Sequence, residues 1–269
     1  KGGGLVKKFF IWALAAPLFI SLGAFGKPVT ETVHLVNGKD LSPFYVFLKG
    51  IGRDDNKDNV FSIEDGMLKI TGQHWGCVTT NEEYEDYRLV AEFKWGGPTW
   101  GDRKMATRDS GILVHSVGED GGYGGTWMHS IELQVIEGGT GDFIVVGDKS
   151  DNFSITAEVA DEKQGSSYVF EDGGKEATIT SGRINWWGRD PDWEDTIDFR
   201  GDQDVENPVG EWNTLEAVVD GDMIEIHLNG VLVNRATKVR PSSGKIQVQS
   251  EGAEIWFRKL DLYPLDRSK

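Results

Sequence analysis

Two neighbouring stretches hold the residues best placed to do chemistry. They are Asp109-Ser-Gly-Ile-Leu-Val-His115 and His129-Ser-Ile-Glu-Leu-Gln-Val-Ile-Glu137. In the second, Glu132 and Gln134 alternate with Ile131, Leu133 and Val135. On a strand, alternate residues point to opposite faces. The aliphatics can enter a core while a carboxylate and an amide stand side by side on the other face, with Glu137 just beyond. A carboxylate inside an aliphatic run is costly to bury without a partner or a purpose. Glu132 is therefore the leading candidate for a catalytic acid or base, and Arg258 is the cation that could instead neutralise it. His115 and His129 could serve as acid, base or metal ligand, or simply as hydrogen-bonded structural side chains. Together His115, His129, Glu132 and Glu137 have the donor types that suit a divalent ion, although nothing in their spacing requires one.

Paired carboxylates also raise the possibility of retaining glycoside hydrolysis, in which the two carboxyl groups stand roughly 5–5.5 Å apart. Glu132 and Glu137 are five residues apart, about 16 Å on an ideal strand at ~3.3 Å per residue. They can form that pair only if a bulge brings them together. Asp109 and Gln134 could bind sugar hydroxyls beside Glu132. Lys94, Arg103 or a divalent metal could stabilise a developing negative charge. Trp100, Trp127, Trp186, Trp187 and Trp193 fall in loops, where indole faces could stack on sugar rings or plug the ends of the fold. Trp75, Trp95, Trp212 and Trp256 lie in or beside strands and are expected in the core. Arg183, Asn185, Arg189 and Arg200 could likewise bind a sugar, or pair with the many Asp residues around them.

The elements that must position these residues read as β-structure throughout. Short alternating runs bounded by Gly, Asn and Asp recur, and long amphipathic helical patterns are nearly absent. Strands are expected at 32–36, 44–48, 77–80, 87–95, 143–146, 211–219, 245–249 and 254–262, in addition to the two central stretches. Hairpins are expected on Asp65-Gly66 and Asn229-Gly230, both strong turn pairs. On the 87–95 strand, Leu89, Ala91, Phe93 and Trp95 share one face. Asn81 to Asp86 is expected to make one helical turn. The spacing of Asp54, Asn56 and Asp58 resembles the start of a calcium loop, but Asn59 stands where the sharp-turn glycine belongs, and a solvated turn is the better reading. Residues 148–209 break the rhythm and read as a long irregular insertion with a little strand content, not as a separate domain. So many short strands imply an all-β fold, a two-sheet antiparallel sandwich.

Lys7 and Lys8 precede the apolar run from Phe9 to Phe25, followed by Ala24-Phe25-Gly26. This is the pattern of a secretory signal peptide over residues 1–26, leaving a domain over 27–269 that acts in the periplasm or outside the cell. A membrane anchor fits less well, because the run is short and broken by Pro17. The net charge of −16 becomes −19 without Lys1, Lys7 and Lys8, which argues against nucleic acid and anionic membranes as partners. Cys77 is the single cysteine, so a packed core and not an internal disulfide must hold the fold.

Several motifs occur in a telling order: Leu35-Val-Asn-Gly-Lys-Asp-Leu41, Ser110-Gly-Ile112, Ile131-Glu-Leu-Gln-Val-Ile136, Gly210-Glu-Trp-Asn213, Leu228-Asn-Gly230 and Trp256-Phe-Arg258. Over about residues 32–265 the chain resembles the 3-keto-disaccharide hydrolase family. The resemblance implies a concanavalin A-like jelly roll, export from a bacterial cell and action on oligosaccharides or other glycosides, some bearing a 3-keto sugar. This chain has Asp109 where Asn often precedes Ser-Gly in that family, and His115 where a basic residue is usual. A 3-keto group acidifies the C2 proton, so a base can remove it while the glycosidic oxygen leaves C1. Such a reaction needs a base, an acid for the leaving oxygen, and a cation or donor for the enolate. The alternatives are a glucanase-like retaining hydrolase and a non-catalytic carbohydrate-binding sandwich.

Overall fold

The computed structural model describes residues 1–2 and 26–267. The expected signal segment therefore lies almost wholly outside the described residues. Nearly all regular structure among the described residues is β, and the only helical elements are the single 3-10 turns Lys57–Asn59 and Gly101–Arg103.

Two large sheets form the sandwich. In the nine-stranded sheet the order across is Tyr168–Val169, Gly182–Asn185, Phe143–Val146, His129–Ile136, Asp109–Val117, Lys245–Ser250, Gly76–Thr80, Phe44–Leu48 and Gly52–Arg53. The ten-stranded sheet is centred on the long strands Tyr87–Thr99, Asn213–Asp220 and Ala253–Tyr263. Pairings are antiparallel throughout both sheets except that of Tyr168–Val169 with Gly182–Asn185.

Alternation explains the layering. Ile112, Val114, Ile131, Leu133, Val135, Ile246 and Val248 enter one continuous core with Leu89, Ala91, Phe93, Trp95, Leu215 and Phe257 of the other sheet. Leu113, Cys77 and Val146, from intervening positions of the nine-stranded sheet, form a separate cluster with Trp127. That sheet consequently has an inner face, turned to the core, and an outer face that carries the polar residues of the same strands.

The Asp65-Gly66 and Asn229-Gly230 hairpins form as expected, with all four turn residues at positive φ. Two local expectations are corrected. Residues 81–86 make no helical turn; Tyr84–Glu85 is a short strand beside Lys27–Pro28. Trp75 is 38% exposed because it lies just outside its strand. Residues 148–209 supply the strands Ser154–Val159, Tyr168–Val169, Lys175–Ile179 and Gly182–Asn185, which extend both sheets at one side.

Candidate functional site

The outer face of the nine-stranded sheet assembles polar side chains in rows. Cross-strand pairing sets Arg183, Ile144, Glu132, Leu113, Gln247 and Thr79 side by side. In the adjacent row Gln134 pairs with Gly111 and Gln249 with Cys77. Gly111 is decisive for the packing here. A Cβ at that position would lie 2.5 Å from both Glu132 Oε1 and Gln249 Oε1. The missing side chain is the space into which a carboxylate and an amide lean together. Gln249 hydrogen-bonds Glu132, and Gln134 Nε2 donates to Asp109 Oδ1 at 3.3 Å.

The carboxylates outnumber the cations that touch them. Glu132 is 5% exposed. Burial, reinforced by the charge of Asp109, pushes its carboxyl up to about 8 despite Arg183 and Gln249. Asp109 is pushed up to about 7 by burial, although Arg103 and Arg183 draw it back; Arg103 Nη2 lies 3.2 Å from its Oδ2. Glu251, just past the Lys245–Ser250 strand, is raised well above the ordinary value by burial and by Asp109 and Glu132. Two buried acceptors, Gln134 Oε1 and Gln249 Oε1, have no hydrogen-bond partner. Carboxyls titrating near neutrality beside open acceptors can exchange protons with a hydroxyl-rich ligand and bind it.

Several candidates from the sequence do not reach this cluster. Glu137 accepts from Arg108 Nη1 at 2.6 Å and from the backbone N–H groups of Arg108 and Asp198 at 2.8 and 3.2 Å. The bulge between the two central strands falls at Val114–Val117, away from the Glu132–Glu137 segment, so the glucanase-like pair does not form. His115 sits in that bulge at φ +54. Its Nδ1 pairs with the Pro241 carbonyl at 2.8 Å, and burial lowers it to about 4. His129 is three residues from Glu132, hence of opposite strand parity, and packs against Phe153 and Tyr123 at ring separations of 4.8 and 6.3 Å. The imagined divalent-ion set of His115, His129, Glu132 and Glu137 is therefore dispersed, and among the described residues no group of three or more His, Cys, Asp or Glu could hold a metal ion.

The remaining candidates divide. Lys94 belongs to the ten-stranded sheet, where its Nζ lies 5.0 Å above the Trp212 ring. Arg258 stacks on the same indole and pairs with Glu92, not Glu132. Trp186 is 1% exposed, held by Asp142 and the Gly138 carbonyl. Trp187 is half-exposed, but it faces a depression lined by Val169, Phe170 and Leu232, away from the carboxylates. Trp193 donates to the Glu137 carbonyl. Trp127, in contrast, lies in the apolar patch with Leu113, and Leu113 is Glu132's cross-strand neighbour. Arg183 reaches the face through its place in the row and anchors on Asp142 Oδ2 at 2.9 Å.

Sequence reasoning missed Gln249, Gln247, Glu251 and Asp142. Lys245-Ile-Gln-Val-Gln249 shows the same polar–aliphatic alternation as the Glu132 strand, and that signal could have found both glutamines. Glu251 and Asp142 carry no local signal.

Residues 31–262 match the 3-keto-alpha-glucoside-1,2-lyase-like domain. The chain belongs to that family. Among solved structures it is similar to a Parabacteroides distasonis protein named as a candidate glycosyl hydrolase, at 19% identity and TM-score 0.51 over 88% of this chain and 94% of that one. A second such protein from the same organism gives 18% identity and TM-score 0.48 over 87% and 100%. A Bacillus licheniformis β-glucanase gives 10% and 0.40 over 77% and 84%. The first of these likenesses shows the shared sandwich fold. No curated protein matches the chain in sequence. Family membership makes this a carbohydrate-active protein.

Proposed function

We propose that this chain is an exported enzyme that cleaves 3-keto-glycosides at the outer face of the nine-stranded sheet. The observation that carries the reading is Glu132: a carboxyl raised to about 8, set over the space left by Gly111 and flanked by the two other raised acids Asp109 and Glu251. Neighbouring acids with displaced titrations allow one to be ionised while another stays protonated. Glu132, once ionised, is the base that takes the C2 proton. The electron pair moves toward C3, and the ketone oxygen carries the charge as an enolate. Arg183, the cation of the same row, faces that charge. The enolate then re-forms the ketone and expels the glycosidic oxygen from C1, leaving a C1–C2 double bond. Glu251 gives the departing oxygen its proton. Water adding across that double bond would complete a hydrolysis. Among the described residues no helix is long and apolar enough to cross a membrane, and the basic-then-apolar start of the sequence supports export.

The test is incubation of the parent and Glu132→Gln with a 3-keto-glucoside and with the unoxidised glucoside. Turnover of the keto-glycoside alone, lost in Glu132→Gln, is expected. Turnover that survives the substitution removes Glu132 from the reaction. Sugar binding without turnover of either compound identifies a binding module instead.

A further inference from the structure

Toward the Tyr168–Val169 edge of the nine-stranded sheet lies a pocket of about 320 Å³, lined by Gln164, Arg183, Asn185, Arg189, Asp190 and Trp193. Arg183 and Asn185 are two residues apart on one strand, so both belong to the outer face. Arg183 stands two strands from Glu132 in one cross-strand row, about 10 Å between backbones at ~4.8 Å per strand. In the next row the Gln134 backbone N–H donates to the Asp142 carbonyl at 3.0 Å, and Asn185 follows Ile184, the partner of Phe143. The pocket is therefore continuous with the face that carries Glu132 and Gln134.

Two guanidiniums meet in this pocket over a single carboxylate. Arg183 Nη1 and Arg189 Nη1 both donate to Asp142 Oδ2, at 2.9 and 2.5 Å. Asp142 Oδ1 accepts the Trp186 backbone N–H at 2.7 Å. Among the described residues neither arginine meets a second carboxylate. Asp190 lines the rim, but its oxygens accept from the backbone N–H groups of Asp192 and Asp202 at 2.9 and 3.4 Å. Arg189 is 6% exposed and stacks at 4.3 Å over the Trp193 ring, which fixes its fork. One cation would balance Asp142; burying a second is costly unless it has an anion of its own. The amides complete the site. Gln164 Nε2 donates to the Arg189 carbonyl at 2.9 Å, so its Oε1 must accept, and Asn185 Nδ2 donates to it at 2.9 Å. That order leaves Asn185 Oδ1 buried without a partner, a loss that a ligand hydroxyl would make good. Planar guanidinium forks bind oxyanions two oxygens at a time.

We propose that this pocket recognises an acidic substituent on the substrate, a carboxylate or a sulfate ester, through Arg189 and Arg183, with a neighbouring hydroxyl donating to Asn185 Oδ1. The protein then prefers an acidic saccharide over a neutral glucoside. This rests on the proposed reaction at Glu132 only for calling the bound sugar a substrate; anion binding by the pocket stands apart from it.

Ligand-observed NMR on the full chain follows binding of sodium glucuronate, glucose 6-sulfate and glucose to the parent, Arg189→Gln and Gln164→Glu, each checked for an unchanged thermal transition. At least one acidic sugar is expected to bind the parent roughly tenfold more tightly than glucose, as for charge-assisted hydrogen bonds. Which of the two does so decides between carboxylate and sulfate. The preference is expected to disappear in Arg189→Gln and to shrink several-fold in Gln164→Glu, which sets a negative charge beside the anion. Added sodium chloride should weaken the acidic sugars alone. Equal binding of all three sugars by the parent, or a preference that survives both substitutions, overturns the proposal. Turnover of a 3-keto-glucoside with no gain for the corresponding 3-keto-glucuronide leaves the reaction standing and removes the pocket. A preference for acidic sugars with no keto compound turned over does the reverse. An Arg189→Gln protein that melts early hands the decision to Gln164→Glu, a change of charge at a half-buried side chain that keeps its shape.

Discussion

Glu132 and Glu137 stand five residues apart, both buried, and the protein treats them in opposite ways. Glu137 is saturated: Arg108 supplies a guanidinium and a backbone N–H, and Asp198 a second backbone N–H. Glu132 has no bonded cation, one amide partner and two acidic neighbours. A buried carboxylate with its lone pairs filled ties two segments together. One left short of partners keeps the capacity to gain and lose a proton. On the proposed reading, structure belongs to one end of the strand and chemistry to its middle.

The largest effect expected from that contrast is a double dissociation. Glu132→Gln should lower keto-glycoside turnover by ~10²–10⁴, the range of a lost general base, with the thermal transition preserved or raised. Glu137→Gln leaves Arg108 buried beside only the exposed Asp198 and should cost about 3 kcal/mol of stability, read by denaturant unfolding. Its turnover per folded molecule should persist. If Glu137→Gln abolishes turnover in folded protein, the division of labour is wrong.

Gly111→Ala comes next. The added methyl would meet Glu132 and Gln249 at 2.5 Å, and both must swing away. Turnover should fall on the order of tenfold or more, since small misplacements of catalytic groups are costly. The strand φ of Gly111 is not positive, so the backbone tolerates alanine. A variant that turns over normally would show that the convergence of these side chains does not matter.

The pH dependence of stability sharpens the same point. The folded state holds a proton on Glu132 to about 8, whereas the unfolded chain releases it near the ordinary value. Below that value both states are protonated. As pH rises through the window between them, the unfolded state alone ionises, and stability falls. Asp109 and Glu251 act in the same direction. His115 has the opposite sign: held neutral to about 4, it adds stability as pH rises from there to its ordinary value of 6.5. Glu132→Gln should flatten part of the fall between the ordinary carboxyl value of 4.5 and about 8 in urea titrations, and His115→Gln part of the rise in acid. Unchanged slopes would mean that these groups are solvated.

Much of this arrangement was legible from alternation alone. Strand positions and the outward aim of Glu132, Gln134 and Asp109 follow from a period of two, and the two Gly hairpins from their turn pairs. Parity also placed His129 opposite Glu132, a conclusion available in the sequence but not drawn. What stayed hidden is what breaks or exceeds the period. His115 sits at a positive φ inside a bulge, so its direction cannot be counted from Leu113. Glu251 lies one residue past a strand end. Asp142 is defined by Arg183 and Arg189, more than forty residues away, and no local pattern links them.

Lys94 gives the smallest and cleanest test. Its type and its strand made it a candidate to stabilise an enolate, yet strand parity sets it opposite the core-facing Phe93 and Trp95, on the outer face of the ten-stranded sheet. Between it and Glu132 lies the full thickness of the core. Its ammonium rests over Trp212, which Arg258 also covers, so removing it forfeits only an exposed cation–π contact of about 0.5–1 kcal/mol. Lys94→Ala should therefore lower stability by no more than that and leave kcat and KM at parental values. Arg183→Ala, the matched change on the Glu132 row, should lower turnover strongly. A loss of turnover in Lys94→Ala comparable to that in Arg183→Ala would place the reaction on the wrong sheet and reopen the whole assignment.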